Sequence, residues 1–227
     1  MKRPHPESDR GSLFYRVCGR IVQGVGITYF GWTVYHPERV PPVGPVLLAA
    51  NHVSFADPPL IGAAVPRPIH YLARQTLFQH PAFSRLIRSL NAVPLDRDGG
   101  SAAGLRTVLD LFAANQVVLL FPEGTRSTDG RIRETPSGLG LMVLRTGTPV
   151  VPVRTFGLGE LWGRSQALPR PGRIVIKFGQ PMRFERQHAE LATASRPRVR
   201  ELYEEVTREV MDSLRRLEPC RDRTTFG

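Results

Sequence analysis

The segment LLAANHVSFADPPL, residues Leu47–Leu60, decides how the rest of the chain is interpreted. Its apolar run is typical of a buried strand that ends at Asn51 and His52, and Asp57 follows His52 after four intervening residues. The two prolines that come next are tolerated in the first turn of a helix. The segment therefore predicts a strand, a short loop and a helix, with His52 at the carboxyl edge of a sheet, where α/β folds place their ligands.

Further short apolar runs alternate with helical patterns along the chain. Continuous apolar strands are typical of a sheet that helices cover on both faces, so the predicted fold class is α/β with a mixed, largely parallel sheet. The predicted strands are Val46–Ala50, Ile69–Ala73, Ala92–Leu95, Val117–Phe121, Val150–Thr155 and Ile174–Phe178. The predicted helices are Pro81–Leu90, Ser101–Ala114, Ser137–Thr146 and an amphipathic C-terminal helix over Arg196–Leu217.

A chain of 227 residues suits one α/β domain, over 43–227, preceded by a tail and a membrane-docking segment over 1–42. Within the latter, Leu13–Tyr35 is apolar and aromatic, but Arg16 and Arg20 interrupt it. A membrane-spanning helix needs about 20 consecutive apolar residues, and the uninterrupted run is shorter. We expect an interfacial, monotopic anchor. The alternative is a helix and a strand packed on the domain.

The composition indicates an anionic partner. Lys and Arg number 31 against 20 Asp and Glu, which leaves a net charge of +11. Such an excess is expected of a protein that binds nucleic acid, an acidic membrane surface or a phosphorylated substrate. The arginines are scattered and no recognition motif stands out, so we expect no nucleic-acid partner. The six His and two Cys lack the spacing of a metal site, so we expect no metal.

His52 and Asp57 form a candidate catalytic pair. A carboxylate that accepts a hydrogen bond from one imidazole nitrogen stabilises the imidazolium and leaves the other nitrogen free to take a proton. Such a pair acts as a general base, worth roughly 10²–10⁴-fold in rate. A surface or capping pair is the alternative that this segment alone leaves open.

A second polar turn follows another apolar run in VVLLFPEGTRSTDGR, residues 117–131. Gly124 would let a ligand approach the backbone, and Arg126 offers a planar guanidinium that matches phosphate. A third strand end, in NAVPLDRDGG, carries Arg97. Taken separately, these features are an ordinary turn and a surface ion pair. Together with His52 they describe a site that deprotonates a group attached to a phosphate.

The sequence resembles the glycerolipid acyltransferases, the family that includes lysophosphatidic acid acyltransferase. NHVSFAD looks like the family's first signature, NAVPLDRD like its second, FPEGTRS like its third, and TPVVPV, residues 148–153, like its fourth. Two departures bear on the acceptor. Asn91 stands where the second block usually has Gly, and Thr135–Gly138 lacks a Lys that many members carry.

The resemblance implies transfer of a fatty acyl group from acyl-CoA or acyl carrier protein to a lysophospholipid, above all lysophosphatidic acid, with no other cofactor. It makes His52 the general base and Asp57 the group that orients it. It implies substrate-binding roles for Arg97, Glu123, Gly124, Thr125 and Arg126. It implies supporting roles for Asn51, Pro122 and Pro152. It also implies a peripheral or monotopic protein at an anionic membrane, on the cytoplasmic face.

Alternatives to this function remain at the level of sequence. Another lyso-lipid or an amino-lipid acceptor fits the missing Lys. A thioesterase or lysophospholipase would use the same pair to activate water and would release free fatty acid. A basic module without enzymatic activity, which binds membrane or nucleic acid, is the remaining class.

Overall fold

The computed structural model describes residues 12–95, 102–133 and 138–219. Its sheet contains the strands β1 Thr33–Tyr35, β2 Val46–Ala50, β3 Ile69–Arg74, β4 Ala92–Leu95, β5 Val117–Leu120, β6 Val150–Phe156 and β7 Val175–Phe178. The helices are α1 Leu13–Phe30, α2 Asp57–Ala64, α3 Pro81–Ser89, α4 Ala102–Ala113, α5 Gly138–Thr146, α6 Leu158–Trp162, α7 Glu185–Glu190 and α8 Arg196–Arg216. Short 3-10 helices lie at Pro37–Arg39 and Gln75–Phe78. Every strand and helix predicted above is present, with ends that differ by no more than one residue.

Strand β2 lies at the centre of the sheet, whose strand order is β1-β7-β6-β2-β5-β3-β4. Neighbouring strands are parallel except for β6 and β7, which are antiparallel. All five residues of β2 are fully buried. The apolar run at Leu47 is therefore the central strand, and the prediction of a mixed, largely parallel sheet is confirmed.

Helices cover both faces of the sheet and bury two separate cores. Leu48 of β2 belongs to a core with Leu60 of α2, whereas Leu47 belongs to a core with Val108 of α4 and Leu202 of α8. Successive side chains of a strand point to opposite faces, so a strand covered on both faces must be apolar throughout. Each large aliphatic side chain buried in this way stabilises the fold by about 1.5–3 kcal/mol.

The N-terminal segment forms a helix and a strand that pack on the domain. The side chain of Ser12 caps α1, and Gly31, at φ 47°, ends it. Strand β1 then pairs in parallel with β7, so Thr33–Tyr35 belongs to the sheet. The predicted α/β domain, 43–227, does not include this strand. Within the described ranges, no helix combines the length and the apolarity needed to cross a bilayer.

Helix α1 is attached to the domain by side-chain hydrogen bonds and leaves an apolar side exposed. The hydroxyl of Tyr15 accepts the backbone N–H of Ile69 at 3.1 Å, and Nε2 of Gln23 donates to the Ala63 carbonyl at 2.7 Å. The large apolar side chains exposed along this helix are Leu13, Phe14, Val17, Ile21, Val25, Ile27 and Tyr29. A contiguous apolar patch of this kind marks a surface that binds a membrane or a partner.

The C-terminal helix packs back on the domain, as its periodicity predicts. Helix α8 contacts α5 and β6 and buries Leu202, Val206, Val210 and Leu214. The guanidinium of Arg154 donates to the carbonyls of Arg215 and Leu217 at 2.7 and 2.8 Å. These bonds satisfy carbonyls that the end of a helix otherwise leaves without a partner.

Candidate active site

The carboxylate of Asp57 organises the loop that follows β2. Asp57 is fully buried at the first residue of α2, and its Oδ2 atom accepts three hydrogen bonds. His52 donates from Nδ1 at 2.9 Å, and the backbone N–H groups of Val53 and Ser54 each donate at 2.7 Å. An ionised carboxylate can only accept, so Nδ1 carries the proton, and Nε2 of the neutral ring is free to accept one.

The side chain of Asn51 secures the end of β2. Its Oδ1 atom accepts the backbone N–H of Thr155 at 2.8 Å, and its Nδ2 atom donates to the Thr155 carbonyl at 3.0 Å. The amide thus continues the pairing of β2 with β6 by one further residue, through a side chain. His52, the next residue, leaves the sheet from a fixed position.

The turn after β5 encloses His52. Strand β5 is the parallel neighbour of β2, so the carboxyl ends of the two strands lie side by side. The ring of Phe121 stacks on the imidazole with centroids 4.1 Å apart, and the backbone N–H of Ser127 donates to the His52 carbonyl at 2.7 Å. Gly124 has a φ of 72° in this turn, a conformation that glycine adopts without strain.

Glu123 holds the His52 loop to the turn after β5 by accepting hydrogen bonds from backbone N–H groups. Its Oε1 atom accepts the backbone N–H of His52 at 3.2 Å, and its Oε2 atom accepts the backbone N–H of Arg133 at 3.4 Å. Burial raises the pKa of Glu123, and these two backbone hydrogen bonds oppose the rise. Because both carboxylate oxygens have protein partners, the geometry indicates a positioning role. Substrate binding by Glu123 stays a prediction.

A cavity of about 650 Å³ begins at His52 and extends between α1 and α3, a volume typical of small-molecule sites. His52 contributes to one end of it, together with Gly124, Thr125 and Arg126. The structure therefore brings four of the residues selected from the sequence to one place. The rest of the lining is largely apolar and includes Val22, Ala63, Leu72, Phe83, Leu86 and Ile87.

Two further arginines join Arg126 at this cavity. Arg74 ends β3 and Arg164 follows α6, and both line the cavity. The guanidinium of Arg126 lies over the ring of Phe55, 3.5 Å from its centroid. Loss of solvation lowers the pKa of Arg126, as do the charges of Arg164 and Arg74, whereas Asp57 raises it. An anion bound among the three guanidinium groups would relieve their repulsion.

The family model described as Acyltransferase matches residues 31–155, more than half of the chain. The chain belongs to the acyltransferase family. The matched range contains the strand ends and turns that carry His52, Asp57, Glu123 and Arg126. The family inferred from the sequence is thereby confirmed.

Curated relatives of this acyltransferase bear the name 1-acyl-sn-glycerol-3-phosphate acyltransferase. The protein of Cocos nucifera is 27% identical over 80% of this chain, which spans 59% of that protein's length. The protein of Bacillus subtilis is 24% identical over 74% of this chain and 82% of its own length. A protein of Chlamydomonas reinhardtii is 30% identical over 75% of this chain and 52% of its own length.

A solved acyltransferase has the same fold. The crystal structure of the 1-acyl-sn-glycerophosphate (LPA) acyltransferase PlsC from Thermotoga maritima matches with a TM-score of 0.67. The sequences are 24% identical, and the match covers 91% of this chain and 81% of that one. The predicted acyltransferase-type α/β fold is confirmed.

The remaining predicted site residues either do not line this cavity or fall outside the described residues. Arg97 falls outside the described residues, as do 134–137, where the departure from the third block begins. Pro152 lies in β6 opposite Ala49 of β2, and neither it nor Pro122 lines the cavity. Asn91 has a φ of 63°, in a region that Asn populates more readily than most residues, so it can stand where the family usually has Gly.

No metal-binding cluster is present in the described part of the acyltransferase. Among residues 12–95, 102–133 and 138–219, His, Cys, Asp and Glu side chains form no group of three that could hold a metal ion.

One of the two overlooked arginines could have been found from the sequence. Arg74 directly follows the predicted strand Ile69–Ala73, and parallel strands bring their carboxyl ends to the same edge. Arg164 lies in an irregular loop far along the chain, with no motif around it. Only tertiary packing shows that it reaches the cavity.

We predict that Glu123→Ala will speed amide hydrogen exchange at His52, because the substitution removes the acceptor of its N–H. Glu123→Gln keeps a carbonyl oxygen and should preserve most of the protection. Loss of a hydrogen bond worth about 1 kcal/mol corresponds to roughly fivefold faster exchange by local opening. Exchange measured by NMR, or by mass spectrometry on a peptide over 51–57, tests this. Equal protection in the wild type and Glu123→Ala would contradict the positioning role.

Proposed function

We propose that this acyltransferase transfers a fatty acyl group from an acyl thioester, acyl-CoA or acyl carrier protein, to the free hydroxyl of a lysophospholipid. The favoured acceptor is lysophosphatidic acid, which would give phosphatidic acid. The observation that carries the proposal is that His52, paired with Asp57, lines the same cavity as an arginine cluster and a largely apolar wall. The names of the relatives support the same acceptor.

The proposed chemistry needs one general base. Nε2 of His52 removes the proton of the acceptor hydroxyl as its oxygen attacks the thioester carbonyl. The carbon–sulfur bond then breaks, and the proton passes from the imidazolium to the departing thiolate. Asp57, buried against the imidazole at 2.9 Å, stabilises the imidazolium formed between the two steps. The acyl group never bonds to the protein, because no serine or cysteine nucleophile takes part.

The arginine cluster is the proposed site of the acceptor's phosphate. Arg126 supplies a planar fork of donors, and Arg74 and Arg164 add charge beside it. With Arg97 as a further candidate ligand, the cluster would substitute for the Lys that the chain lacks after its third block. A phosphate held here places the glycerol hydroxyl toward His52, at the start of the apolar cavity.

The apolar part of the cavity is the proposed site of an acyl chain. It runs along β3 from Arg74, at the carboxyl end, to Tyr71, deeper along the strand. There the hydroxyl of Tyr71 meets that of Tyr15 at 3.4 Å and lies so close to Gly62 that a Cβ there would overlap it. Burial is the main cause that raises the pKa of Tyr71 well above its usual value, and the neighbouring Tyr15 raises it further. In this proposal the two tyrosines form the closed end of the cavity.

The proposed location is the cytoplasmic face of an anionic membrane, with the protein bound peripherally or monotopically through α1. The exposed apolar side of α1 is flanked by Arg16 and Arg20, and the helix contains no acidic residue. Such a helix binds at the boundary of headgroups and acyl chains. Membrane attachment would bring the cavity to its lipid substrates.

His52→Ala should lower kcat by a factor of about 10²–10⁴ without unfolding the protein, because it removes the general base. Asp57→Asn should also lower kcat strongly, since the amide cannot stabilise the imidazolium. Mass spectrometry of acylated products, with purified protein, acyl thioester and a panel of lyso-lipids, provides the measurement. Near-normal turnover by His52→Ala would refute the mechanism. Free fatty acid without acylated lipid would assign the pair to a hydrolase instead.

Arg126→Ala and Arg164→Ala should each raise the KM for a phosphorylated acceptor more than they lower kcat, because they remove ground-state binding of the phosphate. We expect about 10- to 100-fold for each, from the loss of a charge-assisted hydrogen bond worth about 1.5–3 kcal/mol. Arg208→Ala, an exposed position on α8, is the matched control. An unchanged KM in both cavity variants would show that the phosphate binds elsewhere. If the wild type acylates a neutral lyso-lipid and both variants acylate it equally well, the acceptor is a different lipid.

Tyr71→Leu should shift the preferred acyl chain toward greater length, because it opens the closed end of the cavity. Each additional methylene that becomes buried is worth about 0.8 kcal/mol, or up to about fourfold in kcat/KM. Competition between thioesters of different chain length measures the change. The control is Tyr29→Leu, which lies at the opposite end of α1 from Tyr15 and does not line the cavity. An unchanged length profile in Tyr71→Leu would show that the acyl chain does not extend to this residue.

A further inference from the structure

The exposed large apolar side chains are concentrated on one part of the described structure. Seven of the thirteen lie on α1, four line the cavity, and Leu168 lies in the loop whose Pro169 carbonyl accepts a hydrogen bond from Tyr29 of α1. The four in the cavity lining are Phe55, Leu77, Phe83 and Leu86. The thirteenth, Val43, precedes β2 at the opposite edge of the sheet. Scattered surface residues would not show this distribution.

Helix α3 buries none of its residues, a property that it shares with the shorter helix α7. Phe83 and Leu86 are each 43% exposed, and Leu77, in the preceding 3-10 helix, is 40% exposed. All three line the same cavity as Cys18 and Val22 of α1. Helices α1 and α3 are therefore the two walls of one cleft, and no other part of the described structure covers the apolar side of α3.

The charges around this cleft have a single sign. The sequence contains no Asp or Glu from 10 to 37, which includes α1, or from 58 to 95, which includes α3. The lining of the cavity also contains none. The cations on the two helices are Arg16, Arg20, Arg85 and Arg88. A second copy of this chain would bring the same positive face, whereas an anionic lipid surface is complementary to it.

We propose that α3 and the 3-10 helix before it form a second membrane-inserting element, and that an anionic bilayer covers the open side of the cleft between α1 and α3. Phe83, Leu86 and Leu77 enter the lipid, while Arg85 and Arg88 contact headgroups. Acyl chains then pass from the bilayer into the cavity sideways, without crossing water. This inference extends the proposed membrane attachment through α1, and its test uses lipid binding alone, so its failure is distinguishable from failure of acyl transfer.

The first test compares the wild type with variants of the full chain, by their binding to phosphatidylcholine vesicles that contain about one-third phosphatidylglycerol. Phe83→Ser combined with Leu86→Ser should weaken binding by about tenfold or more, since two apolar side chains no longer enter the lipid. Val43→Ser, at an even more exposed apolar position away from the cleft, should change nothing. Arg85→Gln combined with Arg88→Gln should weaken binding to these vesicles but not to pure phosphatidylcholine. Binding of the serine variant equal to that of wild type would overturn the proposal.

The second test locates α3 directly and does not depend on a disruptive substitution. Phe83→Trp should give tryptophan emission that shifts to shorter wavelength on vesicles and is quenched by lipids brominated on their acyl chains. Wild type, with its native Trp32 and Trp162, and Val43→Trp provide the background. Absence of added quenching in Phe83→Trp would overturn the proposal. Light scattering without lipid would also overturn the proposal if it revealed a dimer that the serine variant abolishes. The apolar side of α3 would then bind a second copy of the chain.

Discussion

The carboxylate of Asp57 is fully buried, and one of its oxygens accepts hydrogen bonds from an imidazole and two backbone N–H groups. Burial of a charge is costly unless donors replace water, and these three donors come from the loop that must be held still. Its other oxygen, Oδ1, is buried and has no hydrogen-bond partner among the described residues. Oδ2, at 2.9 Å from Nδ1, is the oxygen positioned to stabilise a positive charge on His52. One interaction thus fixes the loop, the ring tautomer and the local electrostatics.

That interaction is useful only because the sheet is parallel. Strands β2, β3 and β5 run in the same direction, so their carboxyl ends lie along one edge and their following turns meet. The His52 loop, Arg74 and the turn with Glu123 and Arg126 come from these three strands. The backbone of His52 is held on both sides by the turn after β5, through Glu123 and Ser127. Two sequence blocks that are about 70 residues apart thus form a single structural unit.

The cavity combines two environments that suit an amphipathic lipid. Guanidinium groups surround its polar end, and apolar side chains of α1, α3 and β3 surround the remainder. Residues 10–37 and 58–95, which include α1, β3 and α3, contain arginine without acid, so this side of the cavity carries the same positive charge as the arginine cluster. Substrate recognition and membrane attachment in the proposed function therefore depend on the same elements of the fold.

The local pattern was sufficient for six of the seven described strands, for the longer helices and for the pairing of His52 with Asp57. Buried strands must be apolar throughout, helices repeat their apolar residues every three to four positions, and His52 and Asp57 are close along the chain, so their pairing is a local matter. Tertiary structure alone decided the rest. The strand Thr33–Tyr35 is too short for a periodic signal and is defined by its pairing with β7. Arg164 reaches the cavity, and α3 leaves its apolar side uncovered, because of how distant segments pack, which no local sequence pattern encodes.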